Sequence, residues 1–259
     1  MRILMLGDVV GKPGRIALRE HLPALRAERR IDFVVANGEN ASGGIGLTGE
    51  GFTAIRASGA DVVTSGNHIW KHKEIYNVLN REDRLVRPAN YPAGAPGKGM
   101  TVAETASGHK VAVINLLGRT FMDPVDCPFQ SVDTLLASVP QDATVRLVDF
   151  HAETTSEKKS MGWYLDGRVS VMAGTHTHVQ TNDAQILPQG TAYLTDLGMC
   201  GVEASVLGMD YNCILERMVT RLPRRFVPAK GRGGINGLLV ELDDATAKAV
   251  HVEIIRIEP

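Results

Sequence analysis

Cysteine is scarce in this chain. Cys127, Cys200 and Cys213 are odd in number and far apart, which excludes a disulfide framework and a Cys-based zinc site. Long apolar runs are missing as well; none approaches the roughly 18–20 residues that a membrane-crossing helix needs. The opening "MRILMLGDVVG" has neither the apolar length nor the small-residue cleavage region of a secretory leader. These absences predict a cytoplasmic protein without a membrane partner. Charge of one sign is also lacking, since 28 Lys and Arg face 29 Asp and Glu. Nothing global therefore pulls the chain toward nucleic acid, and a polyanionic substrate has to be handled by a local site. There are no repeats and no low-complexity tract.

What is present is an alternation of strand-like and helix-like segments. "RILMLGD" (2–8) reads as a buried strand, followed by a helix over 14–30 that Pro23 kinks or splits. "FVVANGEN" (33–40) and "DVVTSGNH" (61–68) read as further strands with their loops, with helices at 48–58 and 72–80. More strands follow from about residue 100, ending in a hairpin of "GLLVELD" and "AVHVEIIRI" around "DATAK". The Pro/Gly-rich stretch 87–99 reads as a surface loop. Alternation of this kind implies largely parallel sheets. Roughly ten strands are many for one open sheet, so the expectation is α/β, with two stacked mixed β-sheets flanked by helices in one domain over 1–259.

Ligands in such sheets gather at the carboxyl ends of strands. The polar residues just after the apolar runs are Asp8, Glu39, Asn40, Asn67, His68, His151, His176 and His178. Imidazole and carboxylate together suit iron, manganese, zinc or cobalt, and the donors outnumber what one tetrahedral ion needs. Two ions about 3.5–4 Å apart would use them, acidifying a shared water and neutralising a phosphate. Each motif alone also has a plain structural reading: Asp8 as a strand-end turn residue, Asn40 as a cap, "GNH" as a satisfied loop, His151 as a core-edge histidine. "GTHTH" (174–178) is the most telling, because i and i+2 share a face on a strand. Weight comes from five strand ends agreeing.

His21, His109 and His251 belong to no strand-end pattern, and His72 is assigned to a helix start. "GDVVGKPG" lacks the Gly-Lys-Ser/Thr ending of a phosphate loop, so a nucleotide hydrolase of that kind is rejected.

"GD" at 7–8, "GEN" at 38–40, "GNH" at 66–68, "FH" at 150–151 and "GTHTH" at 174–178 resemble, in order, the calcineurin-like metallophosphoesterase superfamily. Val10 stands where that superfamily usually has His, Glu39 replaces its bridging Asp, and Thr175 precedes the paired histidines. These departures resemble the YmdB-like bacterial phosphodiesterases. The resemblance implies a β-sandwich flanked by helices. It places Asp8, Glu39, Asn40 and His178 on one metal, with Asn40 or a water filling the place left by Val10. Glu39, Asn67, His151 and His176 fall on the other. It makes His68 the proton donor to the leaving oxygen and a metal-bridging hydroxide the attacking group. The ions it implies are two divalent or trivalent transition metals, iron first and manganese as alternative. The substrates are 2′,3′-cyclic nucleotides and 3′,5′-cyclic AMP.

A small phosphodiester is thus the expected partner, with a homo-oligomer and an RNA contact as further expectations. The basic segment 221–232 reads as a phosphate-steering patch, a solvated loop or an oligomer contact. Two rivals stand beside this reading. One is a phosphomonoesterase or protein phosphatase on the same dimetal site, and the other is a non-enzymatic RNA- or nucleotide-binding regulator.

Overall fold

The computed structural model describes residues 1–259. In chain order its first elements are β1 (Arg2–Val9), α1 (Gly11–Glu28), β2 (Phe33–Asn37), α2 (Gly49–Ala57) and β3 (Val62–Thr64). A 3₁₀ turn (Asn67–Lys71) leads to α3 (Ile75–Arg81), β4 (Met100–Glu104), β5 (Lys110–Leu117) and α4 (Pro128–Ser138). Then come β6 (Val145–His151), α5 (Thr155–Leu165), β7 (Val171–Thr175), β8 (Gln185–Ile186) and β9 (Ala192–Leu194). The chain closes with β10 (Met199–Cys200), α6 (Tyr211–Thr220), β11 (Ile235–Leu242) and β12 (Ala249–Ile257).

Parity along the strands builds the layers. Ile3 and Met5 pack with Phe33 and Val35 on one face, while Leu4 and Leu6 pack with Val34 and Ala36 on the other. A strand apolar on both faces belongs inside a layered fold. One sheet runs β12-β11-β1-β2-β3, with β1, β2 and β3 parallel, and β10 pairing with the end of β1 at Asp8 and Val9. The other runs β4-β5-β6-β7-β9-β8, with β5, β6, β7 and β9 parallel. Between the sheets Ile3, Met5, Phe33 and Val35 meet Val111, Val113, Leu147, Val171 and Leu194. Leu18 and Leu22 of α1 and Ile55 of α2 cover the first sheet, and Val132 of α4 and Met161 of α5 cover the second. The fold is the expected α/β/β/α sandwich, and the C-terminal edges of both sets of parallel strands open on the same side.

Several sequence expectations are corrected in detail. α1 runs through Pro23 unbroken, with Pro23 on its exposed face. The stretch 87–99 is a loop with exposed residues, as expected, but its first part is buried and tied down. Buried Arg87 donates to the carbonyls of Pro88 (2.8 Å) and Pro96 (3.2 Å), and buried Asn90 donates to Leu117 O (2.7 Å). There are twelve strands, the extra ones being two-residue pairings that leave no pattern in sequence. Three further helices, α4, α5 and α6, lie where the sequence reading names none. On α5 the buried face is Lys158, Met161, Gly162 and Leu165, so its inward stripe holds a charge and a glycine.

The loop after β7 returns to the sheet through Asp183, whose carboxylate accepts from Thr195 N (3.2 Å), Thr195 Oγ1 (2.6 Å) and Lys159 Nζ (2.9 Å). Burial alone would raise its pKa, but these bonds with Thr195 and Lys159, and one with Thr181, bring it down to about 2. A carboxylate depressed in the folded state stabilises above its unfolded pKa of about 3.9 and loses that effect as the pH falls through its folded value. Asp183→Asn should therefore cost about 1 kcal/mol at pH 7, discounted for its exposed part. The cost should shrink as the pH falls from about 4 toward 2, read by urea unfolding at each pH.

Candidate functional site

Each strand end is shaped to deliver a polar side chain. β2 stops at Asn37, whose Oδ1 accepts from Glu39 N (3.1 Å) and turns the chain so that Glu39 and Asn40 are buried. After β3, Gly66 leaves room that no other residue could. A Cβ there would lie 2.3 Å from both Glu39 Oε2 and His151 Nε2. β7 ends at Thr175, and His176 and His178 lie beyond it in a bend with φ of 97° and 64°. The two rings therefore converge through left-handed backbone and not through strand alternation, which corrects the i, i+2 expectation. Such conformations cost of order 1–3 kcal/mol each. The bend is held by Asp8 Oδ2, which accepts from His176 N (3.0 Å), and by Asp196 Oδ2, which accepts from Thr177 N (3.1 Å).

All eight residues singled out from sequence come together. His151 Nε2 lies 3.0 Å from His176 Nδ1, 3.2 Å from Asn67 Oδ1 and 3.3 Å from Glu39 Oε1. On the other side, His178 Nε2 lies 3.7 Å from Asp8 Oδ1 and 3.2 Å from Asn40 Nδ2, which is itself 2.8 Å from Glu39 Oε1. Glu39 Oε1 is thus common to two donor groups. Glu39, His151 and His176 present ligand atoms that all lie within 4.8 Å of one another. His68 Nδ1 rests 3.1 Å from Glu39 Oε1 and 3.0 Å from Asn40 Oδ1. His72, by contrast, contacts Ile45 O (3.2 Å).

The electrostatics are those of two carboxylates buried side by side. Burial pushes Asp8 up to about 6, against the pull of His178 and His151. Burial also opposes the charge on Glu39, yet His151 and His68 hold its carboxyl well below the usual range. His151 goes up to about 9, because Glu39 and then Asp8 outweigh its burial. His176 falls to about 3 through burial and the neighbouring His151. His68 is raised, mainly by its hydrogen bond with Glu39. Asp8 Oδ1, fully buried, has no hydrogen-bond partner at all. A buried, unpaired carboxylate oxygen within reach of imidazoles and a second carboxylate is the donor chemistry that suits a transition-metal cation.

Several supporting residues left no readable signal in sequence. Thr175 Oγ1 bridges His151 Nδ1 (2.8 Å) and Asp149 Oδ1 (2.7 Å), and Asn37 Nδ2 donates to Asp149 Oδ2 (2.9 Å). This buried set fixes the ring of His151 so that Nε2 faces the cluster. Glu153 Oε2 lies 3.0 Å from His176 Nε2, and Leu207 O lies 2.9 Å from His178 Nδ1, orienting those rings likewise. Asp149 and Glu153 flank the "FH" motif and Thr175 lies within "GTHTH", but only the fold gives them partners, the pairing of β6 with β7 bringing Thr175 to His151 and Asp149. Val10 is buried under Gly208, whose Cβ would lie 2.5 Å from it, so it supports the loop that carries Leu207.

A two-sheet α/β sandwich with an acid, imidazole and carboxamide cluster at its joined strand edges has the build of a metallophosphoesterase. The chain belongs to the YmdB-like family, whose model matches residues 4–255. It is 50% identical over 257 residues to a Bacillus subtilis (strain 168) protein named 2′,3′-cyclic-nucleotide 2′-phosphodiesterase, covering 99% of this chain and 97% of that protein. A solved structure of a Thermus thermophilus protein, described as hypothetical, superposes with a TM-score of 0.94 at 43% identity and covers 100% of both chains. A Mycoplasma pneumoniae protein described as a novel phosphatase superposes at 0.92 with 35% identity, covering 99% of this chain and 93% of that one.

The bend that carries the histidines hangs on a buried ion pair. Lys158 Nζ donates to Asp196 Oδ2 at 2.6 Å, with both side chains out of solvent, and the same oxygen accepts from Thr177 N and Oγ1. Lys158→Ala would leave Asp196 charged and buried. It should destabilise the protein by about 3–5 kcal/mol, measured by urea unfolding; a loss below about 1 kcal/mol would contradict this role.

Proposed function

We propose that the chain is a metal-dependent phosphodiesterase acting on 2′,3′-cyclic nucleotides, and on 3′,5′-cyclic AMP, with residues 1–259 working as one catalytic domain. The observation that carries this reading is Glu39 Oε1, shared between the His151, His176 and Asn67 group and the Asp8, His178 and Asn40 group. Neither sheet owns the whole cluster, because Asp8, Glu39 and Asn67 come from one and the histidines 151, 176 and 178 from the other. Asp8, Glu39, Asn40 and His178 would hold one ion, and Glu39, Asn67, His151 and His176 the second. Asn40 would serve through its carboxamide oxygen, or a water would take its place. Iron is the favoured ion and manganese the alternative, since a nitrogen and oxygen donor set accepts either. When bound, such ions acidify a water for attack and neutralise phosphate charge.

The remaining work falls to side chains. His68 is gripped at Nδ1 by Glu39 and Asn40 and lines the open cavity. The hydrogen bond with Glu39 raises its pKa, which favours the protonated form, and it would hand a proton to O2′ as the P–O2′ bond breaks. The new P–O bond comes from water, leaving a 3′-nucleotide. Glu153 and Leu207 O keep His176 and His178 in orientation. The proposal includes self-association, supported by the exposed apolar residues Leu215, Val219 and Leu222. It includes an RNA contact as well, supported by exposed Arg221, Arg225, Lys230 and Arg232.

The test compares bis-p-nitrophenyl phosphate, p-nitrophenyl phosphate, 2′,3′-cyclic AMP and 3′,5′-cyclic AMP on protein loaded with iron or manganese. The diesters should be turned over well ahead of the monoester; a faster monoester would favour the phosphatase reading. His68→Ala should lower kcat about 10²–10⁴-fold for the cyclic nucleotides, whose alkoxide leaves poorly, and far less for the nitrophenyl diester. Equal losses on both would contradict the acid role and leave His68 as a phosphate holder.

A further inference from the structure

The cluster opens into a cavity of about 430 Å³ whose two sides differ in chemistry. One side is polar: Glu39, Asn40, His68, Glu153, His176 and His178. The apolar lining comes mostly from α6 and the loops beside it, as a wall of Val206, Leu207, Met209, Ile214, Met218 and Phe226. The volume lies within the roughly 300–1,000 Å³ of small-molecule sites. None of the six wall side chains carries a hydrogen-bonding group or a charge.

The wall is tied to the cluster. Leu207 O meets His178 Nδ1 at 2.9 Å, so the wall begins one hydrogen bond away from a proposed ligand ring. Gly208 (φ 87°) presses on Val10, and Gly44 (φ 85°) presses on Met209, where a Cβ would approach Met209 Cε to 2.8 Å. The Arg217 guanidinium lies 4.9 Å from the Phe226 ring centroid, in the range of a cation–π contact that helps hold the ring in place. Met218 is 59% exposed although apolar, Phe226 is partly buried, and a thioether and an aromatic ring lining one cavity suit covering by a flat apolar face.

We infer that this wall is the seat of the nucleobase, gripping its π-face while the phosphate sits over the cluster. The inference rests on the phosphodiesterase reading above and adds to it the part of the substrate that is not phosphate. A wall without donors or acceptors reads no Watson–Crick edge. The four 2′,3′-cyclic nucleotides should therefore differ little in kcat/KM, while a cyclic phosphate without a base should be much poorer.

The experiment measures kcat/KM for 2′,3′-cyclic AMP and for the 2′,3′-cyclic phosphate of 1-O-methylribose, which lacks the base. The ratio of the two is taken for the wild type, Phe226→Ala, Met218→Ala and Met218→Leu. Base–aromatic stacking is worth about 1–3 kcal/mol by alanine substitution, so Phe226→Ala should lower the ratio about tenfold or more. Met218→Ala should lower it less, with Met218→Leu recovering most of the loss. Asn212→Ala, on the same helix as Met218 but outside the cavity, should leave the ratio unchanged. A ratio within about twofold of wild type in both Phe226→Ala and Met218→Ala would overturn the seat, as would equal losses on the two substrates. Turnover of nitrophenyl diesters but of neither cyclic phosphate would overturn the substrate reading instead. The seat would then be judged by inhibition: adenosine 3′-monophosphate outcompeting ribose 3-phosphate about tenfold, and losing that margin in Phe226→Ala, upholds it, and parity overturns it.

Discussion

Asp8 and Glu39 are two carboxylates, both fully buried and both at strand ends of the same sheet, and the rest of the site is arranged around the cost of putting them there. Burial drives Asp8 up to about 6, and its Oδ1 is left without a partner. Burial opposes the charge on Glu39, and His151 and His68 beside it hold its carboxyl well below the usual range. A chain that folds into such an arrangement holds positive charge at that point, and imidazole nitrogens surrounding two acids are well suited to share that task with metal cations. The one oxygen of Glu39 that faces both donor groups makes the two halves of the cluster interdependent.

The fold supplies this meeting point by stacking two sheets whose parallel strands end on one side. β1 to β3 bring the acids, the carboxamides and His68, and β6 and β7 bring His151, His176 and His178. Positions are then fixed by side chains that never reach the cavity. Asp149, Asn37 and Thr175 lock His151, while Lys158 and Asp196 lock the bend behind His176 and His178. Two histidines persist in left-handed backbone only where such bonds over-determine the turn. Opposite them, the cavity wall from α6 and its flanking loops is built of different material, apolar and partly exposed.

Much of this is legible in the sequence because strand periodicity and strand-end chemistry are local. Ile3 to Leu6 and Val34 to Ala36 announce buried strands, and "GEN", "GNH" and "GTHTH" mark the polar turns at their ends. That pattern names eight candidate residues, and all eight meet in the fold. The illegible part depends on partners far apart in sequence. Lys158 looks like a surface charge until Asp196 is seen beside it, and Gly162 makes α5 read as irregular. Arg87 and Asn90 sit in a stretch rich in proline and glycine, yet their side chains tie it down. The convergence of His176 and His178 is expected from sequence for the wrong reason, because alternation on a strand and a left-handed bend leave the same Thr-His-Thr-His spelling.

The most direct test of the shared-carboxylate site is metal stoichiometry in variants. Wild-type protein, Asp8→Asn and Glu39→Gln would be dialysed against manganese(II), freed of excess and analysed for metal per chain. A carboxylate shared by two ions predicts about two ions in the wild type, about one in Asp8→Asn, and loss of both in Glu39→Gln. Fewer than about one ion in the wild type, or about two retained in Glu39→Gln, would contradict it.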